Sequence, residues 1–169
     1  MKKVSVENDQ ELLTILKLSI VKLRKTDSHL FESNVNERSI SHKLAEILQK
    51  YFGSSWHVDC EYNRDGHNPK CLHLAVDVLK SDCLSARTVY PDIIVHKRNT
   101  SDNLIVIEIK KSTNEDDRHK DFFKLKAFKN ELKYKFCVFI EFSMTEQNDI
   151  ILINNQIPDI DSTQVCLIG

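Results

Sequence analysis

Three glycines and three prolines in 169 residues leave little room for flexible linkers, collagen-like repeats or low-complexity segments. They also leave no glycine-rich phosphate loop, so an ATP or dinucleotide site of that kind is not expected. Long apolar runs are missing too. The most apolar early stretch, Leu12 to Leu23, is interrupted by Lys17 and Lys22 and falls short of a bilayer span. The opening Met-Lys-Lys-Val-Ser-Val-Glu lacks the apolar centre of a signal peptide, which makes the cytoplasm the expected compartment. No Cys-x-x-Cys pair occurs among Cys60, Cys71, Cys83, Cys137 and Cys166, and an odd count suits free thiols under reducing conditions. Cys60, His67, Cys71, His73 and Cys83 could gather a zinc ion, but their spacing matches no finger or ribbon. Partly buried thiols and loop histidines are the expectation there.

An excess of one charge is also absent. The chain carries 24 basic and 25 acidic residues, a net charge of −1, which excludes a strongly cationic protein that coats nucleic acid. That neutrality is a sum of opposed regions. The segment Arg118 to Lys135 holds a local +5, and residues 141–169 contain five acids and no Lys or Arg. What is present is a core: 41% of residues are hydrophobic, and the length fits one domain over residues 1–169.

Periodicity divides the chain. Leu12, Ile15, Leu16, Ser19, Ile20 and Leu23 recur at three-and-four spacing, which predicts a helix over Val6 to Lys25. Asp27 to Ser33 reads as a polar connection. A second helix is expected from Val35 to Tyr51, with the stripe Ile40, Leu44, Ile47 and Leu48 and with Gly53 ending it. The period then changes to two. Strands are expected at Trp56 to Tyr62, Val89 to His96, Leu104 to Lys110, Phe136 to Phe142 and Ile150 to Ile153. Residues Asn63 to Pro69 read as a turn or loop, and Lys70 to Ala86 as a strand or extended hairpin arm. A long helix from about Glu115 to Lys133 presents Phe122, Leu125, Phe128 and Leu132 to a core. The order implies a mixed sheet flanked by helices, hence an α/β or α+β fold.

The carboxylates carry the chemistry. In Leu104-Ile-Val-Ile-Glu-Ile-Lys, strand geometry sets Leu104, Val106, Glu108 and Lys110 on one face and Ile105, Ile107 and Ile109 on the other. Apolar residues on both faces mark a central, buried strand, so Glu108 and Lys110 emerge where charge is otherwise avoided. If the hairpin turn centres near Asn99 to Ser101, antiparallel pairing sets Asp92 across from Glu108. Pro91 marks a local departure from regular pairing. Two like charges that close repel unless a cation lies between them, and hard oxygen ligands suit magnesium. Glu37 heads the apolar stripe of the second helix and points to the same region. Each residue alone has an ordinary reading: a solvated strand end for Glu108 and Lys110, a strand start for Asp92, and an Asn34-x-x-Glu37 capping pair for Glu37. Their coincidence in register favours a shared site.

Pro91-Asp92, fifteen intervening residues and then Glu108-Ile109-Lys110, with a helical Glu37 upstream, resembles the PD-(D/E)xK nuclease superfamily. The resemblance covers the element order from about Val35 to Phe142, and the N-terminal helix lies outside it. It implies a restriction endonuclease-like core and a metal-dependent nuclease that hydrolyses phosphodiester bonds in DNA. It further implies that Asp92, Glu108, Glu37 and the main-chain carbonyl of Ile109 ligate Mg2+ or Mn2+, and that Lys110 completes the catalytic set. A metal is apt for this reaction, since it neutralises the phosphate and stabilises the developing charge. Asp121 and Lys124 match the polar residues that the family often carries on its next helix.

The basic residues Arg118, Lys120, Lys124, Lys126 and Lys129 could contact phosphates beside the motif. The acids at Glu115, Asp116 and Asp117 followed by lysines also complement a helix dipole, and the two roles are compatible. Double-strand cutting commonly uses two sites, so a homodimer is compatible with the resemblance. The alternative is a catalytically inactive nuclease-like module that binds nucleic acid or protein. A third possibility is an interaction domain in which the carboxylates meet by chance.

Overall fold

The computed structural model describes residues 5–62, 64–65, 68–69, 71–72, 87–88, 90–144 and 148–159. The chain opens with helix α1, Asp9–Thr26, whose buried side is Leu12, Leu16, Ser19, Ile20 and Leu23, as the three-and-four spacing predicts. It starts three residues later than that spacing suggests, because the Asn8 side chain accepts from the Glu11 amide and caps the first turn. The expected polar connection contains a single helical turn, α2, His29–Glu32, which buries Leu30 and Phe31. Helix α3, Glu37–Phe52, is capped by Asn36, which accepts from the Ser39 amide, and not by Asn34. It ends at Gly53, whose φ of 62° is open to glycine at no steric cost.

Five strands form one sheet: β1 (His57–Cys60), β6 (Ile93–His96), β7 (Asn103–Lys111), β8 (Phe136–Phe142) and β9 (Ile150–Ile153), side by side in that order. Two short ribbons lie between β1 and β6 in the chain. Strands β2 (Arg64–Asp65) and β3 (Asn68–Pro69) pair in one, and β4 (Cys71–Leu72) and β5 (Arg87–Thr88) pair in the other. Most of the stretch Lys70 to Ala86, expected to be extended, lies outside the described residues. All sheet neighbours are antiparallel except β7 and β8, whose parallel pairing requires a crossover. Helix α4, Arg118–Leu132, makes it, capped by Asp117 accepting from the His119 amide. The architecture is mixed α/β, a five-stranded mixed sheet flanked by helices. Among the described residues, no helix is long and apolar enough to cross a membrane.

The two faces of β7 define two cores. Ile105, Ile107 and Ile109 join α1 and α3 in the larger one, with Leu16, Leu44 and Leu48 at its centre. Val106 joins Ile94, Cys137 and Phe139 under Phe122, Leu125 and Phe128 of α4 in the smaller one. Leu104, expected on the same face as Val106 and Glu108, packs instead with the larger core. Each of these apolar side chains contributes about 1.5–3 kcal/mol on burial. Two expected strands are shorter than the sequence suggests: β1 covers only His57–Cys60 of the expected Trp56 to Tyr62, and β6 starts late. Of the strand expected from Val89, Tyr90 to Asp92 do not continue β6, because Pro91 has no amide to give to a neighbouring strand. The Pro91 and Asp92 carbonyls accept from the Glu61 amide instead. The chain leaves the ladder there, and Asp92 is placed by that departure.

Candidate active site

Strand β7 positions the site through its two-residue period. Glu108 follows Val106 onto the α4 face and is only 2% exposed. The antiparallel register of β6 and β7 pairs Ile93 with Ile107, which sets Asp92 one step further on, across from Glu108. Where β6 no longer runs beside β7, the Asp92 side chain takes over: its Oδ2 accepts from the Ile109 amide at 2.7 Å. The carboxylate is thereby oriented by the main chain. The Ile109 side chain lies in the opposite core.

Helix α4 lays two more charged side chains over this pair. Lys124 Nζ donates to Glu108 Oε2 at 2.6 Å and lies 3.6 Å from Asp121 Oδ1. Asp121 is 6% exposed, and its Oδ2 lies 3.3 Å from Lys110 Nζ. That ion pair is close enough for attraction but not aligned as a hydrogen bond. Among the described residues, Asp121 Oδ2 and Glu108 Oε1 are both buried without a hydrogen-bond partner. Three carboxylates therefore meet two ammonium groups, and two of the carboxylate oxygens stay unsatisfied.

Electrostatics follow from this burial. Loss of solvent raises the Glu108 carboxyl well above its ordinary value; Lys124 opposes the rise, while Asp92 and Asp121 add to it. Asp92 is pushed up to about 6 by burial, held back by the Ile109 amide and Lys124, and pushed further by Asp121 and Glu37. Burial works against the Lys124 ammonium, but the neighbouring Glu108, Asp121 and Asp92 outweigh it and raise its pKa. An acid with a raised pKa beside a lysine held charged is a perturbed pair of the type found at functional sites.

Glu37 reaches the same end of the sheet from the other layer. As the first residue of α3, it accepts through Oε1 from the Lys111 amide and from Asn114 Nδ2, each at 2.9 Å. It ties the helix start to the end of β7. Among the described residues, no three His, Cys, Asp or Glu side chains are drawn together as a metal-holding group. The structure thus brings Asp92, Glu108, Lys110, Asp121 and Lys124 to one face, with Glu37 at the strand end. The role of Lys124 is not visible in charge counting. The available signal was position: Asp121 heads the stripe Phe122, Leu125 and Phe128 as Glu37 heads its own, and Lys124 follows Asp121 by three residues.

The other basic residues of α4 divide. Arg118 donates to Glu141 Oε2 at 2.8 Å and to the carbonyls of Asn114, Asp116 and Lys111, which pins the loop after β7. Lys126 pairs with Asp159. Lys120 and Lys129 are exposed. The local +5 is therefore partly committed to internal partners.

A second charged cluster shares the α4 face. Asp59 pairs with Ile94 in the β1–β6 register and so points to the same side. His96 Nε2 lies 2.9 Å from Asp59 Oδ2, and Arg98 Nε donates to the same oxygen at 2.9 Å. Arg98 Nη2 takes the other oxygen, and the Tyr62 ring packs 4.7 Å from the His96 ring. Burial acts to raise the Asp59 carboxyl, yet His96 and Arg98 outweigh it and hold the group far below the ordinary carboxylate range.

Of the five Cys and His residues weighed for zinc, only Cys60 is described with its side chain. Burial and then the nearby Asp92 push its thiol up to about 11, away from the thiolate that a metal requires. The side chains of His67, Cys71, His73 and Cys83 lie outside the described residues. Comparison with family models, curated proteins and solved structures returns no match to the chain.

Proposed function

We propose that the chain is a metal-dependent nuclease of the restriction endonuclease-like type, hydrolysing phosphodiester bonds in DNA. The observation that carries this proposal is Glu108: a carboxylate at the end of the central strand, 2% exposed, facing Asp92, with one oxygen lacking any hydrogen-bond partner among the described residues. Burying such an oxygen unpaired costs roughly 1–3 kcal/mol or more, which a purely structural carboxylate would avoid. The donor set fits magnesium or manganese, which bind through one or two carboxylates and leave other positions to water and substrate oxygens. Asp92 and Glu108 would hold the ion with the Ile109 carbonyl, and Glu37 stands at the edge of the same region. When bound, the ion supplies charge neutralisation at the phosphate and a lower pKa for an attacking water.

The protein's own residues do the rest. The Ile109 amide fixes Asp92, so the carboxylate does not have to be ordered when substrate arrives. Lys110, held beside Asp121, is placed to stabilise charge growing on the phosphoryl oxygens as the water oxygen bonds to phosphorus. The ester bond to the leaving sugar oxygen then breaks. That oxygen gains a proton, and the proton lost by the water passes to solvent. Lys120 and Lys129, exposed on α4, are available to phosphates on either side of the cut.

The test is cleavage of linear, circular and branched DNA, and of RNA, with Mg2+ or Mn2+. Activity lost to chelator and to Asp92→Ala, Glu108→Ala or Lys110→Ala is the expected result. A second possibility, an inactive module of the same architecture, is favoured by one contact: Lys124 already neutralises Glu108 Oε2 at 2.6 Å. Metal binding at the carboxylates without cutting of any nucleic acid would select that alternative.

A further inference from the structure

We propose that the Lys124 ammonium is a displaceable internal counter-ion, occupying the cation position beside Glu108 until a divalent ion takes it. This inference rests on the metal site proposed above and adds how that site is kept when no ion is bound. A lysine that merely stabilised the fold would be matched oxygen for oxygen. Asp59 shows that outcome on the same sheet face, with both of its oxygens taken by His96 and Arg98. Around Lys124 the match is incomplete: among the described residues Glu108 Oε1 has no hydrogen-bond partner, Asp121 Oδ2 has only the unaligned ion pair with Lys110, and Nζ is shared unequally between the two acids. The arrangement has too few cationic contacts for its carboxylate oxygens.

The same geometry supplies the exit. Asp121 lies one helical turn before Lys124, and its Oδ1 is already 3.6 Å from Nζ. Leaving Glu108 for Asp121 therefore needs a change of side-chain rotamer and no movement of the backbone. The Lys124 side chain is 25% exposed, against 2% for Glu108, so the ammonium can move outward while the carboxylate stays. An ammonium and a divalent cation cannot both sit on one buried carboxylate oxygen, because like charges at contact repel strongly in a poorly solvated site. Lys124 thus competes with the metal, lowers its affinity and protects the metal-free fold from an uncompensated buried anion.

The measurement is Mn2+ binding to the full chain by calorimetry at fixed pH, paired with thermal melting with and without Mn2+. Lys124→Met is compared with the unaltered chain and with Lys17→Met, which removes the same charge from the exposed face of α1. Lys124→Met is expected to bind Mn2+ about tenfold more tightly or better, to melt lower without metal, and to recover on Mn2+ addition. Lys17→Met should match the unaltered chain. Equal or weaker binding by Lys124→Met overturns the counter-ion role and leaves the metal site standing; no Mn2+ binding by either chain overturns both. Should Lys124→Met fail to fold, the unaltered chain decides. With isotope-labelled lysine, saturating Mg2+ must shift the Lys124 Nζ resonance, and an unmoved resonance alongside calorimetric binding overturns the proposal.

Discussion

Two acidic clusters occupy the α4 face of the sheet, and they differ in how completely each carboxylate is matched by donors. Asp59 has both oxygens paired, by His96 and Arg98, and its carboxyl is held far below the ordinary range. Glu108 has one oxygen paired and one without a hydrogen-bond partner among the described residues, and its carboxyl is raised. Glu108 is the more deeply buried, its side chain 2% exposed against 13% for Asp59, which adds to its rise. The donors facing each oxygen differ as well. A fully matched anion stabilises the fold, whereas an undermatched one keeps capacity for a cation or a substrate.

The comparison breaks most visibly in activity. Glu108→Ala should lower DNA cleavage by about 10³-fold while Asp59→Asn leaves the chemical step nearly intact, measured as single-turnover cutting at saturating Mg2+. Comparable losses in the two variants would erase the distinction. Stability should respond in the opposite order. Asp59→Asn strands His96 and Arg98 and is expected to cost about 2–3 kcal/mol in urea unfolding, less than a fully buried broken pair because Arg98 is half exposed. The double variant Glu108→Gln with Lys124→Met removes an ion pair as a unit and should be neutral or stabilising by about 1 kcal/mol. A loss of several kcal/mol there would mean that the pair is structural after all.

The pH dependence sharpens the contrast with smaller effects. The Asp59 carboxyl is lower in the folded chain than unfolded, so its stabilisation is complete above about pH 4 and is lost as pH falls below that. Asp92 has the opposite sign. Its carboxyl is raised to about 6, so the folded chain binds the extra proton and stability declines as pH rises from the unfolded value to about 6. Urea midpoints measured across this window should keep their acid limb in Asp92→Asn but show a shallower decline on its upper side, the remainder belonging to Glu108. Asp59→Asn should flatten the acid limb alone. The smallest expected effect belongs to Lys120→Ala and Lys129→Ala, which should each reduce the salt slope of DNA binding by about one unit.

Much of this arrangement was legible before the fold was seen. The alternation of Leu104 to Lys110, the polar turn at Asn99 to Ser101 and the apolar run of β6 were enough to set Asp92 opposite Glu108. Strands β8 and β9 match their expected limits because their apolar runs end abruptly at charge or turn residues. The Asp59–His96–Arg98 cluster was not legible. A carboxylate in an alternating strand is indistinguishable from a solvated one until a partner strand supplies the cations. Lys124 was singled out by the resemblance alone, since a lysine among lysines reads as surface, and only helix packing shows which one turns inward.

Local pattern by itself determined the three long helices, strands β7, β8 and β9, the hairpin register and the alternation of Ile105 to Ile109, because these depend on neighbours a few residues apart. Only the tertiary structure decided that Lys124 meets Glu108, that Lys110 meets Asp121 and that Glu37 holds the Lys111 amide. Those contacts join side chains from different layers. Their geometry is set by how α3 and α4 pack on the sheet, and periodicity along the chain carries no information about distance across it.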